Sequence, residues 1–177
     1  MRIAVTGTPG TGKTTATDLL GEDLTDERET SVIHLNDVIR EEGLYTSTDA
    51  ERDSLITDFD SVADWLDEND DEGVSIVESH LAHHFEAESA VVLRCHPEIL
   101  EERLRERGES DTKVSENAEA EALDVILTEA VDRHGEENVY EIDTTDNGPE
   151  SVAREIESVI AGEREPSAGE VNFVGYL

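Results

Sequence analysis

The stretch Gly7-Thr8-Pro9-Gly10-Thr11-Gly12-Lys13-Thr14 constrains this chain more than any other feature. It has the spacing G-x-x-x-x-G-K-[ST]. Before it runs Arg2-Ile3-Ala4-Val5, which reads as a buried strand. After it, Thr14 to Leu20 lacks Gly and Pro and reads as a helix. Glycines at these places let the backbone fold back, so that consecutive N–H groups converge on one anion in front of the positive end of a helix. Lys13 is then positioned for the terminal phosphates of a nucleoside triphosphate, and the Thr14 hydroxyl for Mg²⁺. Gly10, Gly12, Lys13, Thr14 and Thr15 are the candidate phosphate-binding residues.

Hydrophobic period and Gly/Pro punctuation extend this start into an alternating β/α order. Strands are predicted at 2–6, 31–35, 73–78, 90–94 and 139–142. Helices are predicted at 13–24, 37–42, 58–68, from Pro97 to Gly108, across 115–134 as one long pattern, and at 149–161; residues 44–57 read as polar and irregular. Five strands separated by helices predict a three-layer α/β/α domain around a five-stranded parallel sheet, the P-loop NTPase architecture. One domain is expected over 1–161. The tail, 162–177, reads as flexible, with Phe173, Val174, Tyr176 and Leu177 as residues able to dock.

The chain carries 46 acidic and 13 basic residues, a formal net charge of −33. The acids are spread evenly, so they do not form a tail on a neutral domain. Self-repulsion at this charge destabilises a compact state in dilute salt, and molar salt screens it. Only Lys13 and Lys113 are lysines, beside eleven arginines. An acidic, Lys-poor surface reads as halophilic adaptation to a salt-loaded cytoplasm, weighed above nucleic-acid mimicry or a handle for a basic partner; disorder is disfavoured because 36% of residues are apolar and strand-like runs recur. The single cysteine, Cys95, fits a reducing compartment, and no apolar run approaches a membrane span.

Three further stretches bear on chemistry. Glu78 ends the third predicted strand, where a Walker-B carboxylate would hold Mg²⁺, and His80 follows by two residues on the same face if the strand extends that far. Arg40, after the second strand, is a candidate fork for the phosphate of a second substrate. Arg103 and Arg107, four apart on one helix, could clamp transferring phosphates. Each has a plainer reading as a solvated acid or an ion pair with a neighbouring Glu. His80, His83 and His84, with Cys95-His96, raise the question of a metal, but no four-ligand spacing follows, so structural zinc is disfavoured.

These residues together resemble the adenylate kinase isoenzyme 6 family, also called coilin-interacting nuclear ATPase protein, which has archaeal members. The resemblance rests on Gly7 to Thr15, Asp37-x-x-Arg40-Glu41-Glu42-Gly43-Leu44-Tyr45, Glu78-x-His80, Val92-Leu93-Arg94, and Arg103-Leu104-x-x-Arg107-Gly108 with Lys113, Glu116-Asn117 and Ala120-Glu121. It runs from about residue 2 to 145. It implies a nucleoside monophosphate (NMP) kinase fold with an NMP-binding region at about 31–54 and a short lid at about 104–114. It implies transfer of a terminal phosphate between ATP and an NMP, AMP first among them, together with ATPase activity. It also implies a role in small-subunit maturation and rRNA processing through a ribosomal protein of the subunit platform. Arg107 would be the lid arginine on ATP, Arg40 would serve the NMP, and His80 would lie next to Mg²⁺. Two departures stand out. Eukaryotic members usually have Asp where this chain has Glu78, and the D-G-F-P-R-type segment of classical adenylate kinases is replaced by Ser79 to Phe85.

The main alternative is an assembly ATPase whose nucleotide cycle acts on a ribosomal protein, with little NMP kinase activity. A protein at −33 should avoid bare pre-rRNA, so any contact with it is expected to be indirect, through a basic protein. A small GTPase is disfavoured because no N-K-x-D motif occurs. A kinase for a small metabolite such as shikimate remains open on fold alone.

Overall fold

The computed structural model describes residues 1–23, 30–49, 54–69 and 73–177. Five strands, β1 (Arg2–Thr6), β2 (Thr30–His34), β5 (Val74–Glu78), β6 (Ser89–Arg94) and β7 (Val139–Asp143), form one sheet in the order β2-β5-β1-β6-β7. Every pairing is parallel. Such strands are apolar on both sides because helices cover both faces, and all five residues of β5 are buried.

Alternation along β1 shows how the two faces fill. Ile3 and Val5 point to one side and pack with Ala16 and Leu20 of α1 (Lys13–Asp23) and with Val152, Ile156 and Val159 of α7 (Pro149–Ile160). Ala4 points to the other, where Leu35 and Ile39 of α2 (Leu35–Glu41), Val62 and Leu66 of α3 (Phe59–Glu68), and Leu127 and Ala130 of α6 (Val125–His134) close over the sheet. A third cluster of Cys95, Leu100, Leu104 and Val114 lies beneath α4 (Pro97–Glu106) and α5 (Asp111–Ala122). It carries the P-loop on its surface: a Cβ at Gly10 would come within 2.8 Å of Leu100 and 3.1 Å of Leu104.

Three sequence expectations are corrected. The stretch 44–57 is not irregular, because β3 (Tyr45–Asp49) and β4 (Ser54–Thr57) form an antiparallel hairpin whose connecting residues 50–53 lie outside the described residues. Its first strand is mostly exposed, so no apolar period marks it. The helix pattern across 115–134 is two helices, since Asp124 takes a left-handed conformation (φ 54°) between α5 and α6. Asp tolerates that region better than most residues. The tail is docked: Ser167 and Phe173 are buried, and the Ser167 amide donates to the Val139 carbonyl at 3.0 Å. Val174 and Leu177, by contrast, stay exposed. Smaller shifts occur at element ends; Leu35, for instance, opens α2 instead of closing β2. Residue 24, expected in the first helix, lies outside the described residues.

Candidate active site

The sheet order reverses at β1, whose neighbours β5 and β6 come later in the chain. Open parallel sheets bind ligands at the carboxyl ends of strands beside such a switch point. The loop from Gly7 to Gly12 leaves β1 at that edge, with Gly10 at φ 95° and Gly12 at φ 90°. These angles suit glycine and turn the backbone around a concavity. A Cβ at Gly12 would meet nothing within 4 Å, so the loop faces open space there.

Lys13 folds back over the loop and donates from Nζ to the carbonyls of Gly7 (2.9 Å) and Thr8 (3.2 Å). Burial pushes its ammonium down to about 8, with Glu78 opposing the shift and Arg107 adding to it. It therefore still carries its charge at neutral pH. Thr14 donates from Oγ1 to Glu78 Oε2 at 3.2 Å. That carboxylate, at the end of β5, is buried. A hydroxyl and a carboxylate are hard oxygen donors and fit Mg²⁺. His80 follows in a turn, since β5 stops at Glu78, so strand periodicity is not what brings it to the site. Burial, then the neighbouring charge of Lys13, pulls its imidazole down to about 4, leaving it neutral.

Lys13, Thr14, Glu78, His80 and Arg107 share a cleft of about 400 Å³. A second cavity of about 210 Å³ shares Gly10, Gly12, Thr15 and Arg107 with it and extends towards Arg103, Asn147 and Pro149. The pair forms one larger cleft and a smaller annex joined at Gly10, Gly12, Thr15 and Arg107. Arg103 is committed elsewhere than the phosphates: its Nη2 donates to the carbonyls of Thr144 (2.9 Å) and Thr145 (3.3 Å), holding the loop after β7. Arg40 does not line the cleft, and its exposed guanidinium pairs with Asp37 at 3.2 Å. Lys113, in the first turn of α5, pairs at 3.7 Å with Glu109, which precedes that helix.

Several contributors were not found in the sequence. His34 lies opposite Glu78 in the β2–β5 register; its Nδ1 is 3.0 Å from Glu78 and its Nε2 3.1 Å from Asp18 of α1. Asn36 lines the cleft and accepts from Ser79 Oγ at 2.8 Å. Behind the P-loop, Thr8 Oγ1 donates to Glu121 Oε2 at 2.5 Å, and Glu121 also accepts from Arg94 Nε at 2.8 Å. Arg94, fully buried, further pairs with Asp124 and Glu141. Glu141 Oε2 in turn accepts the tail amides of Glu170 (2.8 Å) and Val171 (3.3 Å). Ala120-Glu121 belongs to the family resemblance, but the sequence alone does not connect Glu121 with the loop; its place on α5 does.

The chain has the P-loop kinase fold, of the α/β class. The solved structures agree on the fold: shikimate kinase from Bacteroides thetaiotaomicron superposes with a TM-score of 0.58 at 19% identity, covering 92% of this chain and 98% of that one. Shikimate kinase from Acinetobacter baumannii, in complex with shikimate, gives 0.60 at 18%, covering 92% and 94%. At sequence level, the family described as "AAA domain" matches residues 3–124. The chain belongs to that family, and to a group of full-length relatives each named "Putative adenylate kinase". The relative from Natronomonas pharaonis is 58% identical over 177 residues, and that from Halobacterium salinarum 52% over 178, both covering 100% of each chain. The relative from Methanothermobacter thermautotrophicus is 44% identical over 176 residues, covering 99% and 98%.

Proposed function

We propose that the protein is an adenylate-kinase-like nucleoside monophosphate kinase, which moves the terminal phosphate of ATP reversibly to AMP or another NMP. The observation that carries this reading is the convergence of Lys13, Thr14, Glu78, His80 and Arg107 on one cleft beside a base-sized annex. The name borne by its relatives supports the same reaction.

In the transfer, an oxygen of the acceptor phosphate bonds to the terminal phosphorus as the bond from that phosphorus to its bridging oxygen breaks. The electron pair leaves with the diphosphate, and no covalent enzyme intermediate is needed. Charge neutralisation and positioning carry the chemistry. Lys13 leaves its two carbonyls for the terminal phosphates, while the loop amides around Gly10 and Gly12 cradle the rest. Thr14 and Glu78 would hold Mg²⁺, which would supply further neutralisation of phosphate charge. His80, neutral, orients a phosphate oxygen or water by hydrogen bonding. Arg107 lies in the lid segment, 104–114, which closes to exclude water. Arg40 leaves Asp37 to hold the acceptor's phosphate in the region 31–54.

The finer assignment is membership of the adenylate kinase isoenzyme 6 family, with ATPase activity and a role in small ribosomal subunit maturation and rRNA processing. The partner would be a basic ribosomal protein of the platform, with any pre-rRNA contact indirect, in a salt-loaded, reducing cytoplasm. One observation favours the assembly-ATPase alternative: Arg40 is exposed and paired outside the cleft, so the acceptor site is not assembled before an acceptor arrives.

The test is ADP formation from ATP and Mg²⁺ in molar KCl, with and without AMP, CMP, GMP and UMP, products being resolved by chromatography. Two diphosphates from one NMP establish the kinase and name its acceptor; free phosphate, indifferent to every NMP, establishes the ATPase. Lys13→Ala is expected to abolish both activities. Arg40→Ala is expected to spare hydrolysis and damage transfer, and intact transfer in that variant would refute the acceptor assignment.

A further inference from the structure

A second group of chemistry-bearing side chains gathers where the turn after β5 meets α6, and two of its members, His83 and His84, line a different cavity of about 760 Å³. His83 and His84 end a single 3₁₀ turn, Ala82–His84, and Glu129 faces them from the middle of α6. His83 Nε2 lies 2.9 Å from Glu129 Oε2, and His84 Nε2 lies 3.6 Å from the same oxygen. One ligand atom from each of the three lies within 4.8 Å of the others. For a tetrahedral ion with bonds of about 2.05 Å, neighbouring ligand atoms stand roughly 3.3 Å apart. The two distances to the Glu129 oxygen bracket that value.

The plain alternative is a core histidine satisfied by hydrogen bonds. It accounts for His83, whose Nδ1 is 2.8 Å from Thr6 Oγ1 while Nε2 meets Glu129. It does not account for a second imidazole directed at the same carboxylate oxygen. His84 is held there by its ring contacts, 4.2 Å from the His83 ring and edge-on to Phe59 at 4.9 Å.

We propose that His83, His84 and Glu129 bind a zinc-class divalent ion, with water from the cavity completing the coordination. Two imidazole nitrogens with one carboxylate are a donor set that selects zinc-class ions over Mg²⁺, so the site is chemically distinct from Thr14 and Glu78. With an ion on Nε2, the Thr6 hydroxyl, 2.8 Å from His83 Nδ1, would accept from Nδ1–H and hold that tautomer, as outer partners of ligating histidines do. Arg133, on the same cavity wall, is the cation facing the site, and the Glu129 carboxylate offsets it. His134 is not a ligand, because its Nε2 lies 2.9 Å from the His83 carbonyl. Since Thr6 immediately precedes Gly7, the ion would pin α6 to the root of the P-loop.

The full chain, stripped with a chelator, would be dialysed against Zn²⁺ in molar KCl with excess Mg²⁺ occupying the oxygen site. Bound zinc per chain would be measured by mass spectrometry, and Co²⁺ would be used as a visible-absorption probe of nitrogen ligation. We expect one tightly held zinc per chain, binding weakened about 100-fold or more in His84→Ala and Glu129→Gln, and about 10-fold in Thr6→Val. Because His83→Ala removes a buried side chain, the two more exposed ligands carry the test, and circular dichroism confirms their fold. Absence of retained zinc in the wild type would overturn the site, as would wild-type stoichiometry and affinity in both ligand variants.

Discussion

At the scale of single residues, the least expected feature is the side chain that steadies Glu78. His34 bridges that carboxylate and Asp18, tying the end of β5 to α1 and to the Thr14 hydroxyl on it. Outer partners of this kind orient a metal-binding carboxylate, and their loss costs about 10- to 100-fold in metal affinity. His34→Ala is accordingly expected to raise the Mg²⁺ concentration needed for tight ATP binding by that factor and to leave Mg²⁺-free nucleotide binding unchanged, both read by calorimetry. An unaltered Mg²⁺ titration would refute the tether. Much of the site was legible because motifs are local: the P-loop spacing gives Gly10 to Thr15 outright, and a strand-end acid beside it gives Glu78. His34 was not, because it meets Glu78 only through strand register, forty-four residues apart, which no local pattern discloses.

Among the elements, local signals worked where a cap or a buried period marked the boundary. Asp58 accepts from the Ser61 amide at 3.2 Å to start α3, and Pro97 opens α4. They failed where tertiary contacts decide. The break at Asp124 is secured by its pairing with Arg94, thirty residues earlier, and the exposed β3 has no apolar period to read. The tail failed for the same reason. Its Pro and Gly content reads as loose, yet Phe173 packs over the Arg94 guanidinium, 5.5 Å from the ring centre, and edge-on to His96 at 5.3 Å, while Tyr176 donates to Glu101 at 2.9 Å. Removing a buried Phe ring costs about 3 kcal/mol. Phe173→Ala should lose about that much in denaturant unfolding carried out in molar KCl, whereas Val174→Ala, at an exposed position, should lose little. Equal stability of both variants would mean that the tail contributes nothing to the folded state.

For the molecule as a whole, the net charge of −33 decides the conditions under which everything above operates. Raising salt from 0.1 M to 1 M shortens the screening length from about 10 Å to about 3 Å and removes most repulsion between surface carboxylates. The midpoint of thermal unfolding should therefore climb steeply over that range in KCl, and much less with an uncharged osmolyte; a flat salt response would remove the reading of the acidic surface as an adaptation. Screening acts weakly on buried pairs, so the cluster of Arg94 with Glu121, Asp124 and Glu141 keeps its strength in brine. That cluster also orders events during synthesis. The stretch from Ser167 to Phe173 leaves the ribosome after every strand of the sheet, and only it supplies the amides that Glu141 accepts and the ring that covers Arg94. Until those residues emerge, a nascent chain with a complete sheet holds an uncovered ion cluster one side chain away from Thr8. The phosphate loop thus acquires its full backing only after every strand of the sheet has been made.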